Sequence, residues 1–171
     1  TGLALLDAFG RGGPLHAPLA ALGLEVAFAP AGAVVAAGLV SLPLYVLSVR
    51  NAVQSVDPRL EDVAATLGAT PWRTFRRVTL PLALPGVAAG AVLSFARALG
   101  EFGATAVVAG NIEGRTRTIS MAVYTLLETP NGDATAHQLA WISVGLSLVA
   151  LGGYELLQRK HNRRLEVATR G

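Results

Sequence analysis

"LEDVAATLGATPWRTFRRV", residues 60–78, has the parts of a helix-turn-helix: two short helical patterns, a glycine turn and a second half rich in arginine. Just upstream, Asp57 followed by Pro58 is a capping residue ahead of a proline at the first helical position. Leu60, Val63, Ala64 and Leu67 recur at i, i+3, i+4 and i+7, which draws one apolar stripe along the first helix. Gly68 supplies the left-handed residue that ends it. Thr70-Pro71 repeats the cap-and-proline signal. Trp72, Arg73, Phe75, Arg76 and Arg77 then ride on a second helix, and Leu80-Pro81 closes the unit. The stripe needs a partner, and the flanking sequence decides what kind.

Both flanks are of membrane length. Val26–Val49 and Val78–Ala96 carry no charge, and neither does Gln138–Tyr154, which Leu156 and Leu157 extend if Glu155 snorkels. About 20 mostly apolar residues cross roughly 30 Å of hydrocarbon. The 171-residue chain is 52% hydrophobic and 15% charged, where soluble domains carry about 25% charged residues. This is the composition of an integral membrane protein. A DNA-binding helix-turn-helix belongs to a soluble bundle whose third helix covers its apolar faces. Here the next element is "TLPLALPGVAAGAVLSFA", so nucleic acid is not the expected partner.

Cysteine is absent, which excludes a disulfide framework, a thiolate metal cluster and a thiol nucleophile. The chain starts at Thr1 and its single methionine is Met121, so it is expected to be the C-terminal part of a longer protein. Residues 1–9 read as the end of a truncated span. The spans are then 26–50, 82–109 and 138–158. Residues 57–81 form the loop between the first two, 110–137 an outer loop or gate region, and 159–171 a tail. Arg50, Arg59, Arg73, Arg76 and Arg77 cluster in or beside the central loop, and Arg159, Lys160, Arg163, Arg164 and Arg170 in the tail. The other loops hold Arg11, Arg115 and Arg117. The positive-inside rule places the central loop and the C-terminus in the cytoplasm, with the regions 10–25 and 110–137 outside. Small residues in "GAVVAAGLVSLP", "GVAAGAVLSFA" and "SVGLSLVALGG" allow close helix packing, as membrane bundles require. Pro43 and Pro85 are expected to kink or start helices.

The central loop resembles the cytoplasmic signature of permease subunits of ATP-binding-cassette importers: E-A-A, three residues, G, nine residues, I, one residue, L-P. Asp62-Val63-Ala64, Gly68, Val78 and Leu80-Pro81 fall on every spacing, with Asp for Glu, Val for the first Ala and Val for Ile. The resemblance implies an all-α multi-helix transmembrane bundle of the type I ABC importer permease kind, with a cytoplasmic helix-turn-helix coupling loop. It also implies that Leu60, Asp62, Val63, Ala64, Leu67, Gly68, Trp72, Arg73, Phe75, Leu80 and Pro81 serve ATPase coupling. The implied partners are a dimer of ABC ATPase subunits, a second permease copy making a homodimer, and a periplasmic or lipid-anchored oxyanion-binding protein. The chain would reside in a bacterial or archaeal cytoplasmic membrane.

Residues 93–124 are similar to the matching region of molybdate permeases. G-E-F-G-A-T at 100–105, A-G-N-I at 109–112, then Gly114, Thr116, Thr118 and Tyr124 supply the recurring positions. Sulfate and thiosulfate permeases are relatives with similar segments. From the residues themselves, Arg97 and Glu101 are four apart and can pair on one helix face. Ionisable groups at membrane depth face the bundle interior or an aqueous path, so this pair either orients helices or lines and gates the route. Phe102-Gly103 permits a bend beside it, and Gly100, Phe102, Gly103, Thr116 and Thr118 join the pair as candidates for the translocation route or gate. In "GRTRT", Arg115, Thr116, Arg117 and Thr118 offer a tetrahedral oxyanion donors of the right kind, or form an ordinary solvated loop. His16 and His137 in outer loops receive no role.

G-x-x-x-x-G-K-[ST], H-E-x-x-H and G-x-S-x-G are all missing, as is metal-ligand spacing, so neither a catalytic residue, a metal nor a cofactor is expected. A membrane-embedded enzyme or a plain channel has no need of the docking bracket. The expectation is a non-catalytic permease subunit importing molybdate or tungstate, with sulfate or thiosulfate as the alternative ion.

Overall fold

A computed structural model describes residues 2–169 except 11, 22 and 24, with side chains through residue 155. Arg11, Leu156, Leu157 and the tail cations Arg159, Lys160, Arg163, Arg164 and Arg170 thus lie outside the described side chains, and so does the part of the orientation argument resting on them. Every regular element among the described residues is helical. The helices are α1 (Gly2–Phe9), α2 (His16–Ala21), α3 (Pro30–Gln54), α4 (Pro58–Thr66) and α5 (Pro71–Thr74). A π-helical turn over Phe75–Thr79 leads into α6 (Leu80–Leu99), followed by α7 (Gly103–Ala109), α8 (Ile119–Leu127) and α9 (Asp133–Thr169). Pro30–Gln54, Pro71–Leu99 and Asp133–Glu155 are long and apolar enough to cross a membrane.

Two compact units divide the chain: Thr1–Leu42 with Phe95–Leu148, and Pro43–Ser94 with Val149–Gly171. In the first, Val26, Ala36, Ala104 and Val108 form a buried cluster with Leu5, Phe9, Leu19, Val35 and Val40 around it. Small residues let the backbones close up there. A Cβ on Gly2 would lie 3.1 Å from the Ala104 Cα, so α1 meets α7 almost backbone to backbone. The residues just ahead of α3 form a turn, fixed by the Phe28 N–H donating to the Val108 carbonyl at 2.9 Å. Hence the first long helix starts at Pro30 and not at residue 26.

In the second unit, the facing small residues of α3 and α6 serve the same end. A Cβ on Gly86 would stand 2.5 Å from that of Ala52, and one on Gly90 2.5 Å from that of Ser48. Glycine is therefore a packing requirement at both positions. From α9, the Tyr154 hydroxyl donates to the Pro85 carbonyl at 2.7 Å. Pro43 and Pro85 lie inside α3 and α6 and start neither.

Two further helix boundaries depart from the sequence expectation. Leu80-Pro81 does not close the bracket, because helical structure runs unbroken from Pro71 to Leu99. A proline removes one i→i−4 bond and crowds the carbonyl four residues back. The preceding turn widens to the π form instead, with the Leu80 N–H reaching the Phe75 carbonyl. The second departure is the segment 82–109, which is divided: α6 stops at Leu99 and α7 starts at Gly103. The region 110–137 also carries a helix of its own, α8.

Candidate functional sites

The bracket of the second unit is built from its caps. Asp57 Oδ1 accepts the Arg59 N–H at 2.9 Å with Pro58 in the first turn, and α4 begins. It ends in a Schellman arrangement: the Ala69 N–H reaches the Ala64 carbonyl at 3.0 Å, the Gly68 N–H the Ala65 carbonyl at 2.9 Å. Gly68 stands at φ +77°, a conformation that side chains disfavour. Thr70 occupies the next cap position, but its hydroxyl makes no capping bond there; Pro71 and the Thr70 carbonyl, which accepts the Thr74 N–H, start α5.

The stripe on α4 finds no cover within its unit. Leu60, Val63 and Leu67 are exposed, Leu67 to 84%, while Ala64 is half-buried. Asp62, Gly68, Arg73, Leu80 and Pro81 are exposed as well. Trp72, 70% exposed, stacks on Phe75 with ring centroids 5.7 Å apart. An open cleft of about 280 Å³ lies beside the stripe, lined by Ala64, Leu67, Arg73, Thr74, Arg77 and Val78. Its apolar floor and arginine rim fit an acidic, partly apolar partner. The second helix of the bracket is the root of a membrane-length helix.

On its inner side α4 packs against α5 and the π turn. There the Thr79 hydroxyl donates to Glu61 Oε1. Neither residue stood out in the sequence. The available signal was slight: a lone threonine in the apolar run "VTLPLALPG", and a carboxylate next to the motif acid Asp62.

In the first unit, the second constellation centres on Glu101. Its carboxylate meets Arg97 Nη1 at 3.2 Å and accepts the Ala104 N–H at 3.0 Å, so one buried group pairs with α6 and caps α7. The Ser120 hydroxyl donates to the Glu101 carbonyl at 2.7 Å, and Phe102 packs on Tyr124 with centroids 4.9 Å apart. Gly100 and Gly103 flank the break and are exposed. The Glu128 carboxylate raises the Tyr124 phenol above its ordinary value, through a side-chain hydrogen bond first and its charge second.

The loop between α7 and α8 is knitted from within. Buried Thr116 donates its hydroxyl to the Gly110 carbonyl at 3.0 Å and accepts the Ile112 N–H at 3.1 Å. The N–H groups of Arg115, Thr116 and Arg117 all converge on the Ile112 carbonyl. Arg117 is held by Asn111 Oδ1 at 2.9 Å and Glu113 at 3.3 Å, and Asn111 in turn donates to the Thr125 hydroxyl. Thr118 caps α8 through the Met121 N–H. The donors that "GRTRT" offered an oxyanion are thus largely engaged inside the loop, and the Arg115 side chain instead lines an open cavity of about 920 Å³ with Asp7, His16 and Glu25. His137 Nδ1 bonds its own helix at the Asp133 carbonyl.

Among known families, the binding-protein-dependent transport system inner membrane component matches residues 9–163. The molybdenum transport system permease protein ModB of Escherichia coli K12 is 49% identical over 142 residues, 83% of this chain. The chain spans 62% of that relative's length. Its Haemophilus influenzae counterpart is 42% identical over 165 residues, 96% of this chain and 72% of the relative. The sulfate transport system permease protein CysT of E. coli K12 is 35% identical over 164 residues, 96% of this chain and 59% of the relative.

Proposed function

The chain belongs to the binding-protein-dependent transport system inner membrane component family, and from that membership we propose that it is the membrane-crossing subunit of an ATP-driven importer of molybdate or tungstate. The observation that carries the reading is the α4–α5 bracket. It is rigidly capped, continuous with a membrane-length helix, and presents Leu60, Val63, Leu67 and Trp72 uncovered beside Arg73 and Arg77. A separate ATPase subunit docks on it and hydrolyses the ATP. The permease itself is not an enzyme.

Two permease copies and two ATPases make the working assembly, with a binding protein outside delivering the oxyanion. Only 6% of the apolar stretch of α9 is buried, and Trp141 and Val149 are each 72% exposed, which leaves that helix for lipid and further helices to cover. Closure of the ATPase dimer draws the two brackets together and turns the bundles between outward and inward access, a rigid-body transition driven by contacts that differ between the two states. The ion is chosen by similarity: the molybdenum permeases share 42–49% of residues with this chain, the sulfate permease 35%. The Arg97–Glu101 pair, the 100–103 break and the loop held by Thr116 and Thr118 are the gate of this reading.

Uptake by the full-length permease, reconstituted with its ATPase and binding protein, tests the proposal. Molybdate and tungstate are expected to compete for one ATP-dependent route that excess sulfate leaves open. Sulfate winning that competition moves the assignment to the sulfate permeases. Uptake that needs no ATP points to a channel.

A further inference from the structure

The bracket has to transmit force as well as receive it, and the pieces for transmission lie on its inner side. Resting on the reading above, we propose that Glu61 is a positioning residue for coupling. Its hydrogen bond from Thr79 latches the docking helix α4 to the root of the membrane helix, so that a displacement of α4 becomes a displacement of α6.

Three observations carry this. First, α4 reaches α5 through a short turn centred on Gly68 at φ +77°, closed by local backbone hydrogen bonds. A load on the exposed Val63 and Leu67 would swing α4 about that turn if nothing else held it. Second, the partner on the membrane side is placed where a latch has to act. Thr79 is buried to 96%, with 4% exposure, and it is the last residue of the π turn, directly before α6. Third, the bond joins residues 18 apart in sequence and has a carboxylate acceptor. Hydrogen bonds to ionised groups are roughly twice as strong as neutral ones. The motif acid Asp62 faces outward instead, so the two adjacent carboxylates divide the work: one faces the partner and the other holds the helix.

The π turn gives the latch its purpose. Its Leu80 N–H bonds five residues back, to the Phe75 carbonyl, and such turns inside helices recur at functional sites. Glu61 reaches across this turn from α4 to its last residue and so ties the docking helix to the point where α6 begins.

The test uses the full-length permease with its ATPase and binding protein, reading ions transported per ATP hydrolysed alongside ATPase association. Glu61→Ala and Thr79→Val are each expected to lower the transport ratio by about tenfold, the factor that loss of one charge-assisted hydrogen bond gives. ATPase association stays at the wild-type level, and the double variant is no worse than either single one. Glu61→Gln and Thr79→Ser keep an acceptor and a hydroxyl, so both retain most of the coupling even where the harsher variants fold poorly. A wild-type ratio in Thr79→Val beside a defective Glu61→Ala overturns the latch, since Glu61 would then act on the ATPase directly. Loss of ATPase association in both variants overturns it too, because the bond would only shape the docking surface. Equal defects in the conservative and the harsh variants reduce the bond to incidental packing and sink the proposal. Failure of the transport reading itself shows separately, as wild-type protein without ATP-dependent uptake.

Discussion

Thr116 shows how much a single hydroxyl can do in a membrane protein's loop. It is 3% exposed, and its oxygen closes the turn from both sides, donating to the Gly110 carbonyl and accepting the Ile112 N–H. Thr116→Val keeps the shape and strands two backbone groups, at a cost of about 1–3 kcal/mol. The detergent-solubilised protein should melt at a lower temperature, while Thr116→Ser stays close to wild type. Equal melting points for Val and wild type would mean the loop finds other partners. Reading at this scale was uneven. Asp57, Pro58 and Gly68 were legible because caps and left-handed turns are local chemistry, decided by residues a few places apart. The pairing of Glu61 with Thr79 was not, because it depends on α4 folding back over a turn, which no periodicity encodes. For Thr116 the sequence leaves two readings open, oxyanion donor or ordinary loop, because it shows that a hydroxyl is present and not which groups it engages.

At the scale of the element, the bracket was read closely in its first half and less so in its second. The apolar stripe and its terminator set α4, whereas Leu80-Pro81 carried a stop signal that the π turn absorbs, making α5 the root of a long helix. Proline punctuates reliably only where the helix has no neighbouring way to widen. This continuity is what lets the exposed face act as a handle. Leu67→Asp places a charge at the most exposed apolar residue of the bracket, leaving α4 free to form. Truncating a central interface residue of this kind costs about 2 kcal/mol or more. Substrate-stimulated ATPase activity and uptake should therefore both collapse while membrane insertion is unchanged. Gly68→Pro reaches the same end differently, since proline fixes φ near −65° where the turn needs +77°. Normal stimulated ATPase activity in either variant removes the docking role from this face.

For the whole molecule, orientation in the membrane is the property most open to a direct measurement. The argument for it is one of charge. Arg59, Arg73, Arg76 and Arg77 crowd the bracket, whereas the stretch after α7 carries Arg115 and Arg117, the latter answered by Glu113 at 3.3 Å. Cytoplasmic loops carry an excess of Lys and Arg, so the bracket is expected inside and the start of α9 outside. Between Ala65 in α4 and Ala134 in α9 the chain has one helix of membrane length, Pro71–Leu99, and then the short helices α7 and α8, so the orientation reading expects the two alanines on opposite faces. The chain contains no cysteine, so thiols can be introduced one at a time, and both alanines are exposed. In intact cells a membrane-impermeant maleimide should label Ala134→Cys, and should reach Ala65→Cys only after the membrane is opened. The reverse pattern would put the bracket outside, away from any ATPase, and the coupling reading would fall with it. Labelling of both in intact cells would show that the helix Pro71–Leu99 does not cross.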